Sequence, residues 1–155
     1  MAEGASSRTG IDEERAIVLE RATVEDLGAI RAFVRDVARE MNVPPGVEPD
    51  LLIAVDETVT NVVVHGYGRS GGWIEVFVSR TADQVAIRIR DRAPIFDPTR
   101  RAVPDLTLDL DHRAPGGLGI HLARSSMDGM IHRAMDDGNE LTLVKALGGD
   151  GRIER

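Results

Sequence analysis

The chain has no cysteine in its 155 residues and only five aromatic side chains: three Phe, one Tyr and one Trp. The first absence excludes a disulfide framework, a thiolate metal site and a cysteine nucleophile. The second means that the core must be aliphatic, drawn from Val, Ile, Leu and Ala. Long apolar runs are also missing. No stretch approaches the roughly 18–20 residues that cross a bilayer as a helix, and the polar start MAEGASSRTG lacks the apolar centre of a signal peptide. Basic residues are outnumbered, 19 Lys and Arg against 26 Asp and Glu, for a net charge of −7. That balance argues against a broad nucleic-acid surface, which neutralises phosphates with clustered Lys and Arg. What remains, 42% hydrophobic and 29% charged residues, is the composition of a globular protein with one sizeable core. The expectation is a cytoplasmic protein that binds neither membrane nor nucleic acid directly.

Residues 1–14 carry no periodicity and read as a disordered lead; residues 149–155 read as a flexible tail, leaving 15–148 as the domain. Ala16–Leu19 suggests a short edge strand. From Thr23, apolar residues recur at helical steps through Leu27, Ile30, Phe33, Val34, Val37 and Met41. Thr23 is a suitable N-cap, with Glu25 and Asp26 where the helix dipole favours negative charge. Asn42 and Pro44-Pro45-Gly46 end that helix. A second helix is expected from Pro49 to about His65, with Leu51, Leu52, Val55, Val59, Val62 and Val63 on one broad face. Trp73–Ser79 and Gln84–Asp91 alternate as strands of a hairpin. Leu118–Met127 reads as a third helix. Ile131–Met135 and Glu140–Leu147 form a closing hairpin through Asp136-Asp137-Gly138-Asn139. The order predicts an α+β fold: a two-layer α/β sandwich, its mostly antiparallel mixed sheet covered on one face by about three helices.

Four features could carry chemistry. Glu57 and Asn61 are four residues apart and share one side of the second helix, opposite its main apolar face. A carboxylate beside an amide oxygen suits a Mg²⁺ that keeps several waters and is completed by phosphates; an ordinary solvated helix face fits as well. Asp91 is in register with the inward Val85, Ile87 and Ile89. A carboxylate at the end of an inward row needs a donor, such as the exocyclic amine of a purine, or else it caps the turn before Pro94. Arg92–Pro115 is a 24-residue stretch with four prolines, long enough to be a functional lid carrying Arg100, Arg101, His112 and Arg113, or an insert without a role. Gly116-Gly117-Leu118-Gly119 opens the third helix, where free N–H groups can hold phosphate oxygens. It fits neither the Rossmann spacing nor a P-loop.

In this order the motifs resemble a known family. DETVTNVVVHGYG (Asp56–Gly68) is similar to the N-box of the histidine-kinase-like ATPases of the Bergerat (GHKL) fold. DRAPIFDP (Asp91–Pro98) resembles their first glycine box, GGLGIHLARSSMD (Gly116–Asp128) the second, and NELTLVK (Asn139–Lys145) their last strand. The short, stand-alone anti-sigma-factor serine/threonine-protein kinase branch fits best. The resemblance implies ATP and Mg²⁺ as cofactors, with Asn61 on the metal, Glu57 as general base and Asp91 on the adenine amine. Ala93, Gly117, Leu118, Gly119 and Thr142 are implied around the nucleotide, and 92–115 is implied as the ATP lid. Its implied partners are a sigma factor and a small STAS-type antagonist protein phosphorylated on Ser or Thr, with a homodimer as the assembly. Ala93 and Ile95 stand where the superfamily has glycines. A left-handed backbone at 93 would cost Ala roughly 1–2 kcal/mol, about tenfold in nucleotide affinity. Two functions are therefore expected: a protein kinase, or a nucleotide-gated binding module without turnover.

Overall fold

The computed structural model describes residues 13–100 and 117–148. Strand β1 (Glu13–Ala22) leads into helix α1 (Leu27–Glu40) and helix α2 (Glu48–Thr60). The hairpin of β2 (Gly72–Arg80) and β3 (Gln84–Asp91) follows, then helix α3 (Gly117–Ser126) and the hairpin of β4 (Gly129–Met135) and β5 (Gly138–Ala146). The five strands form one sheet in the order β1-β2-β3-β5-β4, and all four pairings are antiparallel. The expected α+β sandwich is present, with an antiparallel rather than a mixed sheet.

Local chemistry fixes the elements. Asp26 Oδ2 accepts the Thr23 backbone N–H at 2.8 Å, and Thr23 Oγ1 accepts that of Glu25 at 3.3 Å, so a reciprocal cap starts the turn that feeds α1. Asn42 ends α1 with φ +57°, a left-handed conformation that Asn tolerates. Glu13 and Glu14 pair with Arg80 and Ser79, so β1 reaches into the segment expected as disordered, and Ala16–Leu19 is only its middle. The other expected lead and tail residues, 1–12 and 149–155, lie outside the described residues.

Alternate strand residues face the helices. Ile74, Val76 and Val78 of β2, Ile87 and Ile89 of β3, and Leu141 and Leu143 of β5 are buried in one core with Ile30, Val34, Leu51, Val55 and Val59 of the first two helices. Three features position the site. After Thr60 the second helix loosens into a π-helical stretch, Asn61–Gly66, in which the Tyr67 N–H bonds to Val62 O at 2.8 Å. Such bulges concentrate at functional sites. Tyr67 then ties this stretch to the sheet: its hydroxyl donates to Trp73 O at 2.6 Å and accepts the Arg92 N–H at 2.7 Å. Finally β5 begins at Gly138, two residues earlier than the sequence suggests, which places Asn139 directly opposite Asp91.

Gly138 makes that pairing possible. A Cβ there would sit 1.9 Å from Asp91 O and 2.7 Å from Arg92 Cα, both backbone atoms that cannot swing away. Gly138→Ala is expected to destabilise the fold by at least about 1–3 kcal/mol, the usual range for an overpacked site. Chemical denaturation checks this, and an unchanged midpoint would contradict it.

Candidate nucleotide site

Between α2, α3 and the ends of β3 and β5 lies a cavity of about 440 Å³, large enough for a small-molecule cofactor. Its walls are mostly apolar, with Val62, Ile95, Phe96, Ile120, Met130 and Leu141 among them. Polar groups are few: Asn61, Thr58 and His65 come from the second helix and its π-helical continuation, and Asp91 and Asn139 from the sheet. An apolar slot with a few placed polar groups is the usual form of a site for a flat heteroaromatic base.

Asp91 is its charged centre. Period-two alternation turns it inward with Ile87 and Ile89, and only 6% of its surface is exposed. Its Oδ1 accepts two hydrogen bonds, from the Ala93 N–H and from Asn139 Nδ2, both at 2.9 Å. Burial nevertheless raises its pKa above the ordinary 3.8, and these two donors and the nearby His132 only partly offset the shift. A buried carboxylate that is held on one oxygen has the other oxygen available to a donor on a ligand.

Asn139 is the residue that sequence reasoning missed. The expectation named Thr142, but Thr142 does not line the cavity. It pairs with Arg88 and Ile131 on the opposite sheet face, because it is out of phase with the inward Asn139, Leu141 and Leu143. That phase was the available signal: a polar residue two positions before Leu141 must face inward with it. Asn139 also donates to Ala93 O at 3.3 Å and Pro94 O at 3.2 Å, and accepts from Phe96 N at 2.9 Å. One carboxamide therefore shapes the chain from Ala93 to Phe96.

Ala93 carries no left-handed strain: among the described residues the non-glycine residues with positive φ are Asn42 and Arg69. The conditional penalty raised for it does not arise. Ala93 is buried, and its Cβ lies 2.9 Å from where a Cβ on Gly66 would be. The glycine of this contact belongs to the π-helical stretch instead.

Asn61 lines the cavity, and Glu57 lies one turn earlier on the same side. Glu57 itself is not among the residues lining the cavity; it faces α3. Gly119 is where α3 meets it: a Cβ there would stand 2.6 Å from Glu57 Oε2. Burial, with the charge of Asp56 adding to it, raises the Glu57 pKa. Gly117 and Leu118 form the first turn of α3, whose N–H groups have no partners within the helix. Gly116 and residues 101–115, with Arg101, His112 and Arg113, lie outside the described residues, so most of the expected lid does as well. Arg100 is exposed and pairs with Asp97 at 3.4 Å. Among the described residues no group of three or more His, Cys, Asp or Glu could hold a metal, and no helix is long and apolar enough to cross a membrane.

Burial of Asp91 predicts a signature in the protein without nucleotide. The folded state binds the Asp91 proton more tightly than the unfolded state does. Its contribution to stability is therefore full below pH 3.8 and is lost as pH rises through the raised folded value. Asp91→Asn, which can keep both acceptor bonds, should be at least as stable as the native protein at pH 7, the gap closing towards pH 3.8. Melting curves across pH test this, and a variant clearly less stable at pH 7 would contradict it. At Gly119, Ala is expected to leave the fold intact, since Ala is the better helix former by roughly 0.5–1 kcal/mol and the Glu57 carboxylate can swing aside. Retained melting temperature with a displaced Glu57 side chain in the crystal structure is the expected result for Gly119→Ala, and a lowered melting temperature would contradict it.

Similarity to known proteins agrees with this geometry. The family described as "Histidine kinase-like ATPase domain" matches residues 21–145. The serine/threonine-protein kinase BtrW of Bordetella bronchiseptica is 33% identical over 96 residues, covering 61% of this chain and 67% of that protein. The serine-protein kinase RsbW of Bacillus cereus is 29% identical over 128 residues, covering 80% and 79%. Among solved structures, the RsbU and RsbW domains of Rv1364c from Mycobacterium tuberculosis superpose with a TM-score of 0.61 at 20% identity. That match covers 86% of this chain and 31% of the other, and shows a shared fold. The chain belongs to the histidine kinase-like ATPase domain family.

Proposed function

We propose that the protein is an ATP-dependent serine/threonine-protein kinase of the anti-sigma-factor type. The observation that carries the reading is the apolar cavity with a buried carboxylate at one end and Asn61 on its helix side. The adenine amine would donate to the free oxygen of Asp91, the ring would lie between the aliphatic walls, and the phosphates would run towards Asn61 and the α3 N-terminus. Mg²⁺ fits this donor set as an ion carried mainly by the phosphates, with Asn61 Oδ1 as a protein ligand, where it would neutralise phosphate charge.

In the transfer, the hydroxyl oxygen of a Ser or Thr attacks the γ-phosphorus, the bond to the β–γ bridging oxygen breaks, and ADP leaves. Glu57 takes the hydroxyl proton. A carboxylate whose pKa is raised by burial is a better base than one in water. The relatives named as serine- or serine/threonine-protein kinases support turnover over a binding module without chemistry. By the same likeness, the substrate would be a small STAS-type antagonist and the second partner a sigma factor. The protein would then act as a homodimeric, cytoplasmic partner switch in transcriptional control.

The test is transfer of label from γ-labelled ATP to a candidate antagonist protein in the presence of Mg²⁺. Transfer should fall by about 10²–10⁴-fold in Glu57→Ala, the range for loss of a general base, while nucleotide binding persists. Transfer that survives Glu57→Ala would remove Glu57 from this role. Binding of ATP without transfer to any antagonist would favour the module without turnover.

A further inference from the structure

Behind Asn139, on the side away from Asp91, stands a residue that the nucleotide reading does not use. His132 of β4 has a side chain only 6% exposed, and its Nε2 lies 2.8 Å from Asn139 Oδ1. The partners of Asn139 fix the proton on that contact. Its nitrogen faces three acceptors, Asp91 Oδ1, Ala93 O and Pro94 O, while its oxygen already accepts from the Phe96 N–H. The only complementary arrangement has His132 Nε2–H donating to Oδ1. On the other edge of the ring, Nδ1 stands 3.8 Å from Asp97 Oδ1, and Asp97 is itself held by the Thr99 hydroxyl and N–H.

We infer that His132 is a positioning residue of the nucleotide site: through Asn139 it fixes the Asp91 carboxylate and so sets selectivity for a base bearing an exocyclic amine. The inference rests on the proposed reading of the cavity and adds a residue that never touches the ligand. Asn139 is the one side chain donating to Asp91 among the described residues; its bonds to Ala93 O, Pro94 O and the Phe96 N–H all go to the loop after β3, and His132 is its one partner on the neighbouring strand β4. Without the imidazole the carboxamide keeps its loop partners but loses the one bond that ties its oxygen to the sheet. Asp91, still bonded to the Ala93 N–H but less firmly held by Asn139, can then shift, and the free oxygen no longer meets the amine in one geometry. A bond to an ionised group is worth most when donor and acceptor are held in place, so a loosened carboxylate costs ATP more than it costs a purine without the amine.

The experiment compares His132→Leu and His132→Gln with the native protein. Calorimetry gives the affinities for Mg-ATP and for purine riboside triphosphate, which lacks the 6-amine. The native protein should prefer ATP by about tenfold or more, the worth of one hydrogen bond to a charged group. His132→Leu should bring that ratio close to one, mainly through weaker ATP binding. His132→Gln, which can place an amide donor near the Nε2 position, should restore most of it. In an Asn139→Ala background, His132→Leu should change the ratio no further, because the two act as one unit. A second arm needs no ligand: the Asn139 side-chain amide protons should exchange with solvent faster in His132→Leu than in the native protein. A lower melting temperature with an unchanged ATP preference and unchanged amide exchange would reduce His132 to a structural role. Failure of the native protein to bind ATP would defeat the nucleotide reading itself, and the amide exchange would still report on the link from His132 to Asn139.

Discussion

Asp91 ends β3 on the inward row, almost wholly out of water, with one oxygen tied to the Ala93 N–H and the Asn139 amide. Much of the surrounding structure serves that carboxylate. Gly138 lets β5 approach the strand end closely enough for Asn139 to reach it, and the Tyr67 hydroxyl holds the chain just beyond it by accepting the Arg92 N–H. An ionised group in such a place is unfavourable for folding, and its raised pKa records that cost. A protein that keeps it gives up some stability for a fixed acceptor in an apolar slot, an arrangement suited to a ligand that bears an amine.

The second half of the site is organised from the helices. The π-helical stretch starting at Asn61 shifts the register of the helix as it passes the cavity, and Gly66 within it packs on Ala93. Small residues at these two positions let the end of the helix close on the loop that follows β3. On the next turn back, Glu57 fits against Gly119, so a single glycine brings the proposed base to the start of α3. In the proposed reading, binding and chemistry draw on different contacts, Asn139 with Asp91 for the base and Gly119 with Glu57 for the proton.

Much of this was legible in the sequence, and the failures have physical causes. Helical spacing placed Glu57 and Asn61 side by side, and strand alternation turned Asp91 inward, because both periods are properties of the backbone itself. Thr23 as an N-cap, followed by the acidic Glu25 and Asp26, announced the helical segment; that Asp26 caps Thr23 in return emerges from the structure. The same alternation would have rejected Thr142 in favour of Asn139, had β5 been started at Gly138; a turn residue with strand pairing on both sides is ambiguous without its partner strand. The π-helical stretch was not legible, since the spacing of Val55, Val59, Val62 and Val63 predicts a helix without distinguishing α from π, and the extra residue per turn follows from tertiary packing. Nor was His132, whose role exists only because β4 and the Asp97 loop meet beside Asn139. The glycine deficit at Ala93 was visible, but the backbone there is outside the left-handed region, so the lost glycine carries no conformational cost.

The central claim is that Asp91 receives the adenine amine while Asn61 lies at the phosphate end. The most direct measurement is a crystal structure of the protein with Mg²⁺ and a non-hydrolysable ATP analogue. The account predicts the exocyclic amine within hydrogen-bond distance of the Asp91 oxygen that Asn139 leaves free, with Asn61 Oδ1 on the metal and the phosphates at the start of α3. A base lodged elsewhere, or an amine turned away from Asp91, would contradict it.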